Sequence, residues 1–131
     1  MKSHLDLCPC GSGVIFLQCC EPFLNGDIPA PTAEALMRSR YTAYVLVNEA
    51  YLLTTWHTST RPASLSLNES QPDKWLGLKI LSSDGGSNDQ QGSVEFIARY
   101  KVNGKAGRLH EVSEFVREAG QWFYVKGTLI E

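Results

Sequence analysis

The sequence predicts an α+β fold, in which an N-terminal metal-binding head is followed by helices and then by a curled antiparallel sheet. Three observations carry this. Four cysteines, Cys8, Cys10, Cys19 and Cys20, crowd into thirteen positions, and none follows. Apolar residues recur at spacings of three and four after residue 32, and from Trp75 onward they alternate or run short between glycine-bearing turns. A chain of 131 residues has room for one domain with a small appended element. Its 43% hydrophobic and 20% charged residues lie far from the composition of disordered chains. The formal net charge of −2 supplies no general attraction for phosphate backbones or anionic membrane surfaces, so nucleic acid is disfavoured as a partner. The longest apolar run near the start, Val14 to Leu17, is too short for a signal peptide or a membrane span, and a cytoplasmic location is expected.

The head occupies residues 1–26, and Asp27-Ile28-Pro29-Ala30-Pro31 reads as a short, stiff join to a second unit over 32–131. Thr32 is the expected N-cap of a helix running from 33 to about 47, with Glu34 in the dipole-favoured first turn. Ala33, Leu36, Met37, Tyr41, Tyr44 and Val45 share one of its faces. Asn48 breaks that helix and caps a shorter one, Glu49 to Trp56, which ends near His57; Thr58 to Pro62 is loop. Strands are expected at Gly77–Ser82, Ser93–Val102, Gly107–Glu118 and Gln121–Lys126. Asp84-Gly85-Gly86, Asn103-Gly104 and Ala119-Gly120 separate them and accept the positive φ of tight turns.

Four thiolates close in sequence can supply a tetrahedral zinc shell with metal–sulfur distances near ~2.3 Å. Pro9 stiffens the first pair, Gly11 and Gly13 let the chain fold back, and the amides of this turn are placed to donate to sulfur. Disulfides need an oxidising compartment, and a redox dithiol needs a thioredoxin-like context that is absent. Thiolates alone are also compatible with iron. One zinc per chain is the expectation, structural in role, because four thiolates leave no open position for water or substrate.

Cys-x-Cys-x-Ser-Gly, with eight residues between the second and third Cys and a terminal Cys-Cys, resembles the SEC-C motif, the zinc-binding element named from the tail of the SecA translocation ATPase. The rest of the chain resembles the YchJ family of uncharacterised bacterial proteins. The resemblance rests on Leu36-Met37-Arg38-Ser39-Arg40-Tyr41-Thr42-Ala43-Tyr44, Thr55-Trp56-His57, Trp75-Leu76-Gly77-Leu78, Val94 to Tyr100 and Gly120 to Val125. It implies a nuclear-transport-factor-two-like domain, a cone of helices wrapped by a curved sheet around a pocket. Longer family members carry a second SEC-C motif after this domain, whereas this sequence stops at Glu131; Val112 and Glu114 stand where the family often has arginine.

Three uses of such a molecule are open, of which the third, an RNA- or ribosome-associated factor, is disfavoured by the −2 charge of residues 1–31. In the first, the zinc head is the docking element for a protein partner, as the SecA tail motif is for a chaperone and lipids. Val14, Ile15, Phe16, Leu17, Phe23 and Leu24 are too few for an independent core and too many to bury within the head, so some face the cone and the surplus forms a patch. In the second, the cone binds a small molecule or catalyses a lyase- or isomerase-type reaction, which needs a base and an oxyanion donor on one cavity wall. The candidate pocket residues are Arg38, Tyr41, Tyr44, His57 and His110. Alternation separates His110 and Glu114 on one strand face from Glu111 and Ser113 on the other. The chain is expected to be a monomer or a homodimer.

Overall fold

The computed structural model describes residues 4–67, 72, 74–86 and 88–130. The head is a short hairpin, with Leu7 bridged to Ile15 and a tight knuckle between them, then a 3-10 turn at Phe16–Gln18 and helix α1, Glu21–Leu24. Helix α2 spans Ala33–Val45 and α3 spans Glu49–Thr54. Both start on the expected caps: Thr32 Oγ1 accepts from the Ala35 amide at 3.1 Å and Asn48 Oδ1 from that of Tyr51 at 3.1 Å. Both end about two residues early. The α2 ladder gives way at Leu46 and Val47, the latter with φ of 58°. After α3 the chain leaves the helix to run beside the last strand, where the Thr55 carbonyl accepts from Tyr124 and the His57 amide donates to the Tyr124 carbonyl.

Strands β1 (Lys74–Ser83), β2 (Gln91–Val102), β3 (Lys105–Glu118) and β4 (Gln121–Leu129) form one antiparallel sheet in sequential order. Asn103-Gly104 and Ala119-Gly120 turn the last two hairpins with positive φ at both positions. Register shifts at Trp75/Gly77, Ile80/Ser82 and Glu114/Phe115 bend the sheet around α2. Alternation sorts β2 cleanly. Val94, Phe96 and Ala98 are buried against Leu36, Met37 and Tyr41 of α2, with Phe115 and Trp122 from β3 and β4. The far face carries Glu95, His110, Glu114 and Lys126, which pair with one another across strands.

The head is built into this core. Cys8, Cys10, Phe16 and Cys20 belong to the same buried cluster as Leu36, Phe96 and Trp122. The join between head and cone is also fastened, since Ala30 is buried and Trp122 Nε1 donates to the Pro31 carbonyl at 3.2 Å. Helix α2 is consequently enclosed nearly all round, not along one stripe: Ser39, Arg40 and Thr42 are as buried as its apolar residues, because the sheet, α3 and the head each cover a different side.

Candidate metal centre and the cavity beside it

The knuckle between the hairpin arms brings Cys8 and Cys10 together, and the 3-10 turn delivers Cys19 and Cys20 to the same point. All four sulfurs lie within 4.8 Å of one another, three of the four residues being buried. Cys10 Sγ is 3.6 Å from Cys19 Sγ, which is 4.0 Å from Cys20 Sγ. Disulfide sulfurs would be about 2.05 Å apart, whereas a tetrahedron with ~2.3 Å metal–sulfur bonds has edges of roughly 3.8 Å. The donor set fits a four-thiolate ion. At Gly11, φ of +80° and a Leu78 carbonyl oxygen 3.0 Å from where a Cβ would stand leave room for glycine alone.

Polar groups surround the sulfurs. Ser12 Oγ lies 3.1 Å from Cys19 Sγ, and from α2 Thr42 Oγ1 lies 3.5 Å from Cys20 Sγ and 3.7 Å from Cys8 Sγ. Arg38, one turn earlier, donates from Nη1 to the Cys10 carbonyl at 2.9 Å, reaches within 4.0 Å of its sulfur, and pairs with Glu34 at 3.0 Å. Burial opposes the Arg38 charge, but Glu34 and Cys10 outweigh it and its pKa is raised. The thiols of Cys20 and Cys8 donate to Cys10 and hold its pKa far below the ordinary value. The same contact with Cys10 raises Cys20, and burial raises Cys19 to about 11. Four negative charges cannot crowd into this volume without a cation among them.

On the other side of α2 lies a cavity of about 300 Å³, walled by Met37, Tyr41, Tyr44, Trp75, Phe96, Ala98, Leu109 and Tyr124, with Arg40, Glu111 and Ser113 as its polar members. Arg40 is 3% exposed; Nη1 donates to the Leu52 carbonyl at 2.8 Å and to Thr55 Oγ1 at 2.7 Å, and the guanidinium carbon sits 4.5 Å from the Tyr124 ring centre and 5.1 Å from that of Trp56. Burial lowers its pKa. Glu111 accepts from Ser113 Oγ at 3.1 Å, and burial raises its pKa above the ordinary carboxyl value. Tyr124 is raised to about 12, by burial first and then by the Glu111 charge, while Arg40 pulls it down. Tyr44 is raised by burial and feels the same two charges.

Of the expected pocket residues, Tyr41 and Tyr44 line this cavity and the other three lie elsewhere. Arg38 faces the sulfurs. His57 holds Ser59 and Glu118 at 2.7 and 2.9 Å, and His110 meets Glu95 at 2.7 Å on the far face of the sheet. Arg40, Glu111 and Ser113 complete the polar lining. Spacing contained the signal for Arg40, which stands four residues from both Leu36 and Tyr44 on the apolar side of its helix.

Residues 32–127 match the model of the family described as YchJ, middle NTF2-like domain. A UPF0225 protein from Chromobacterium violaceum is 55% identical over 129 residues, covering 96% of this chain and 95% of its own length. Another from Polaromonas naphthalenivorans is 48% identical over 132 residues, covering 92% and 95%. The solution structure of a SEC-C motif containing protein from Rhodopseudomonas palustris is similar with a TM-score of 0.84 at 33% identity, over 95% of this chain and 98% of that one. A crystal structure of a SEC-C motif containing protein from Psychrobacter arcticus gives 0.78 at 27% identity, over 98% and 85%. With cysteines placed to hold a metal ahead of a matched cone domain, and with relatives similar over nearly their whole length, the chain belongs to the YchJ family, UPF0225.

Proposed function

We propose that Cys8, Cys10, Cys19 and Cys20 hold one structural zinc ion and that the head so formed docks a protein partner in the cytoplasm. Zinc is preferred over iron(II) because a given set of thiolate ligands binds it more tightly. The ion would supply shape and rigidity, and the closed shell directs function to the surface around it. The observation that carries the docking reading is the head's outward side, where Leu5, Leu7, Val14 and Leu17 are 71%, 61%, 41% and 46% exposed. Phe16 is buried, and Phe23 and Leu24 pack on the core, so the apolar surplus of the head faces solvent. No helix of the described residues is long and apolar enough to cross a membrane.

Metal analysis should find close to one zinc per chain, and Cys19→Ser should lose it. The double variant Leu7→Ser, Leu17→Gln should keep its zinc and lose a partner captured by the native protein from its own cytosol. A metal-free, folded chain would refute the first part. Partner capture unaffected by the double variant would refute the second.

A further inference from the structure

The cavity beside α2 holds a charge that no carboxylate among the described residues balances. Arg40 carries it and is almost fully buried. Its Nη1 is committed to Leu52 and Thr55, its side chain also hydrogen-bonds Tyr44, and its faces are stacked by Tyr124 and Trp56. Stacking covers the faces of a guanidinium and not its edge, and edge geometry is what suits carboxylates. A buried cation normally has a counter-charge, because removing it from water is costly.

The opposite pole is Glu111. It lines the same cavity as Arg40, Tyr44 and Tyr124. Around this axis the walls are flat and apolar, with Trp75, Phe96 and Leu109 among them. The volume of about 300 Å³ falls at the small end of ligand pockets.

We propose that this cavity binds a small monocarboxylate with a flat apolar body, about the size of a substituted benzoate, whose carboxylate neutralises Arg40 and whose far end carries a hydroxyl or carbonyl that meets Glu111. The ligand's charge answers a guanidinium with no carboxylate partner among the described residues, the aromatic walls explain the flat body, and Glu111 with Ser113 explains the polar far end. This site goes beyond the docking reading of the head and stands or falls independently of it, since none of its residues lies in the head.

The test is a titration of the full, metal-loaded protein with 4-hydroxybenzoate, benzoate and 4-methyl-2-oxopentanoate, followed through the methyl resonances of Ala98 and Leu109. Uncharged 4-hydroxybenzamide is the control. At least one acid should give saturable shifts and bind about tenfold or more tightly than the amide, the discrimination expected of a charge-assisted hydrogen bond. Leu109→Trp, which fills the cavity, should abolish the shifts at Ala98, and Arg40→Met should erase the preference for acid over amide. If Arg40→Met fails to fold, the acid-to-amide ratio on the native chain and the Leu109→Trp result decide. The proposal is overturned if no acid in the panel saturates, if the amide binds as well as the acids, or if binding survives Leu109→Trp.

Discussion

Arg38 and Arg40 are two residues apart on one helix, yet they answer to different chemistry. Arg38 faces the thiolates, where a four-sulfur zinc shell would carry a formal charge of −2, and its bond to the Cys10 carbonyl fixes the knuckle that carries two ligands. Groups that brace a metal shell in this way typically matter by about 10- to 100-fold in affinity. Arg38→Met should therefore keep the fold and weaken zinc by about tenfold or more in competition with a chromophoric chelator; unchanged affinity would assign Arg38 to its pair with Glu34 alone. Glu111 yields a prediction with a definite sign. Burial raises its pKa above 4.5, so the folded chain holds that proton more tightly than the unfolded one. Its contribution to stability is full below about pH 4.5 and is lost as pH rises through the folded value. The groups near it are Ser113 on its own strand, Tyr44 from α2, and Tyr124 and the Gly127 backbone from β4, with Arg40 lining the same cavity. Glu111→Gln removes the titration, so its denaturation midpoint should gain on that of the native protein between pH 5 and 8. A constant gap would mean that the carboxyl titrates alike in both states.

At the scale of elements, what was legible in the sequence was local. Thr32 and Asn48 cap the helices they were expected to cap, and the Asn-Gly and Ala-Gly turns sit where the strands reverse, because each acts through its own backbone within a few residues. What lay outside local reach was set by partners far along the chain. Helix α3 stops at Thr54 because Tyr124 takes the next backbone groups into pairing, and β1 begins at Lys74 because Lys101 and Tyr100 are there to pair with. The four ligands were legible from spacing, whereas the braces from Arg38 and Thr42 were not, since helix periodicity does not tell which neighbour covers a given side. The start of α2 shows the same long-range control. Its Ala33 amide donates to the Gly85 carbonyl in the β1–β2 loop, and Gly92 presses against that loop so closely that a Cβ would stand 2.6 Å from the Asp84 carbonyl oxygen and 3.1 Å from Ala33 Cβ. Backbone must move to admit even one methyl, so Gly92→Ala should lower stability by about 1–3 kcal/mol in urea unfolding, the range of overpacked sites. A neutral result would show that the loop is free to retreat from the helix.

In the whole molecule, one helix stands between the cysteine cluster and the cavity. Thr42 and Arg38 touch the sulfur cluster, while Met37, Arg40, Tyr41 and Tyr44 wall the cavity, so the head braces the same element that shapes the pocket. The cysteines also belong to the common core: Cys8, Cys10 and Cys20 are buried against residues of α2 and the sheet, not within the head alone. Two prolines between head and cone read as a joint in the sequence, but a pattern of turn residues carries no information about which surfaces later pack together. Structural zinc in small peptides contributes on the order of 10 kcal/mol of apparent folding free energy, comparable to the whole stability of a domain, about 5–15 kcal/mol. Without a bound ion the four sulfurs are left in contact with no cation among them. Chelation should therefore be felt beyond the head: the thermal midpoint of the entire chain should fall by about 10 °C or more, and hydrogen exchange should quicken at α2 amides from Leu36 to Val45 along with those of residues 4–26. The paired centres of β2 and β3 should lose protection last. If exchange instead quickens only over residues 4–26 while the rest melts unchanged, the head and the cone are separate folding units, and the bond from Arg38 and the contacts of Thr42 and Phe16 serve only to position the head.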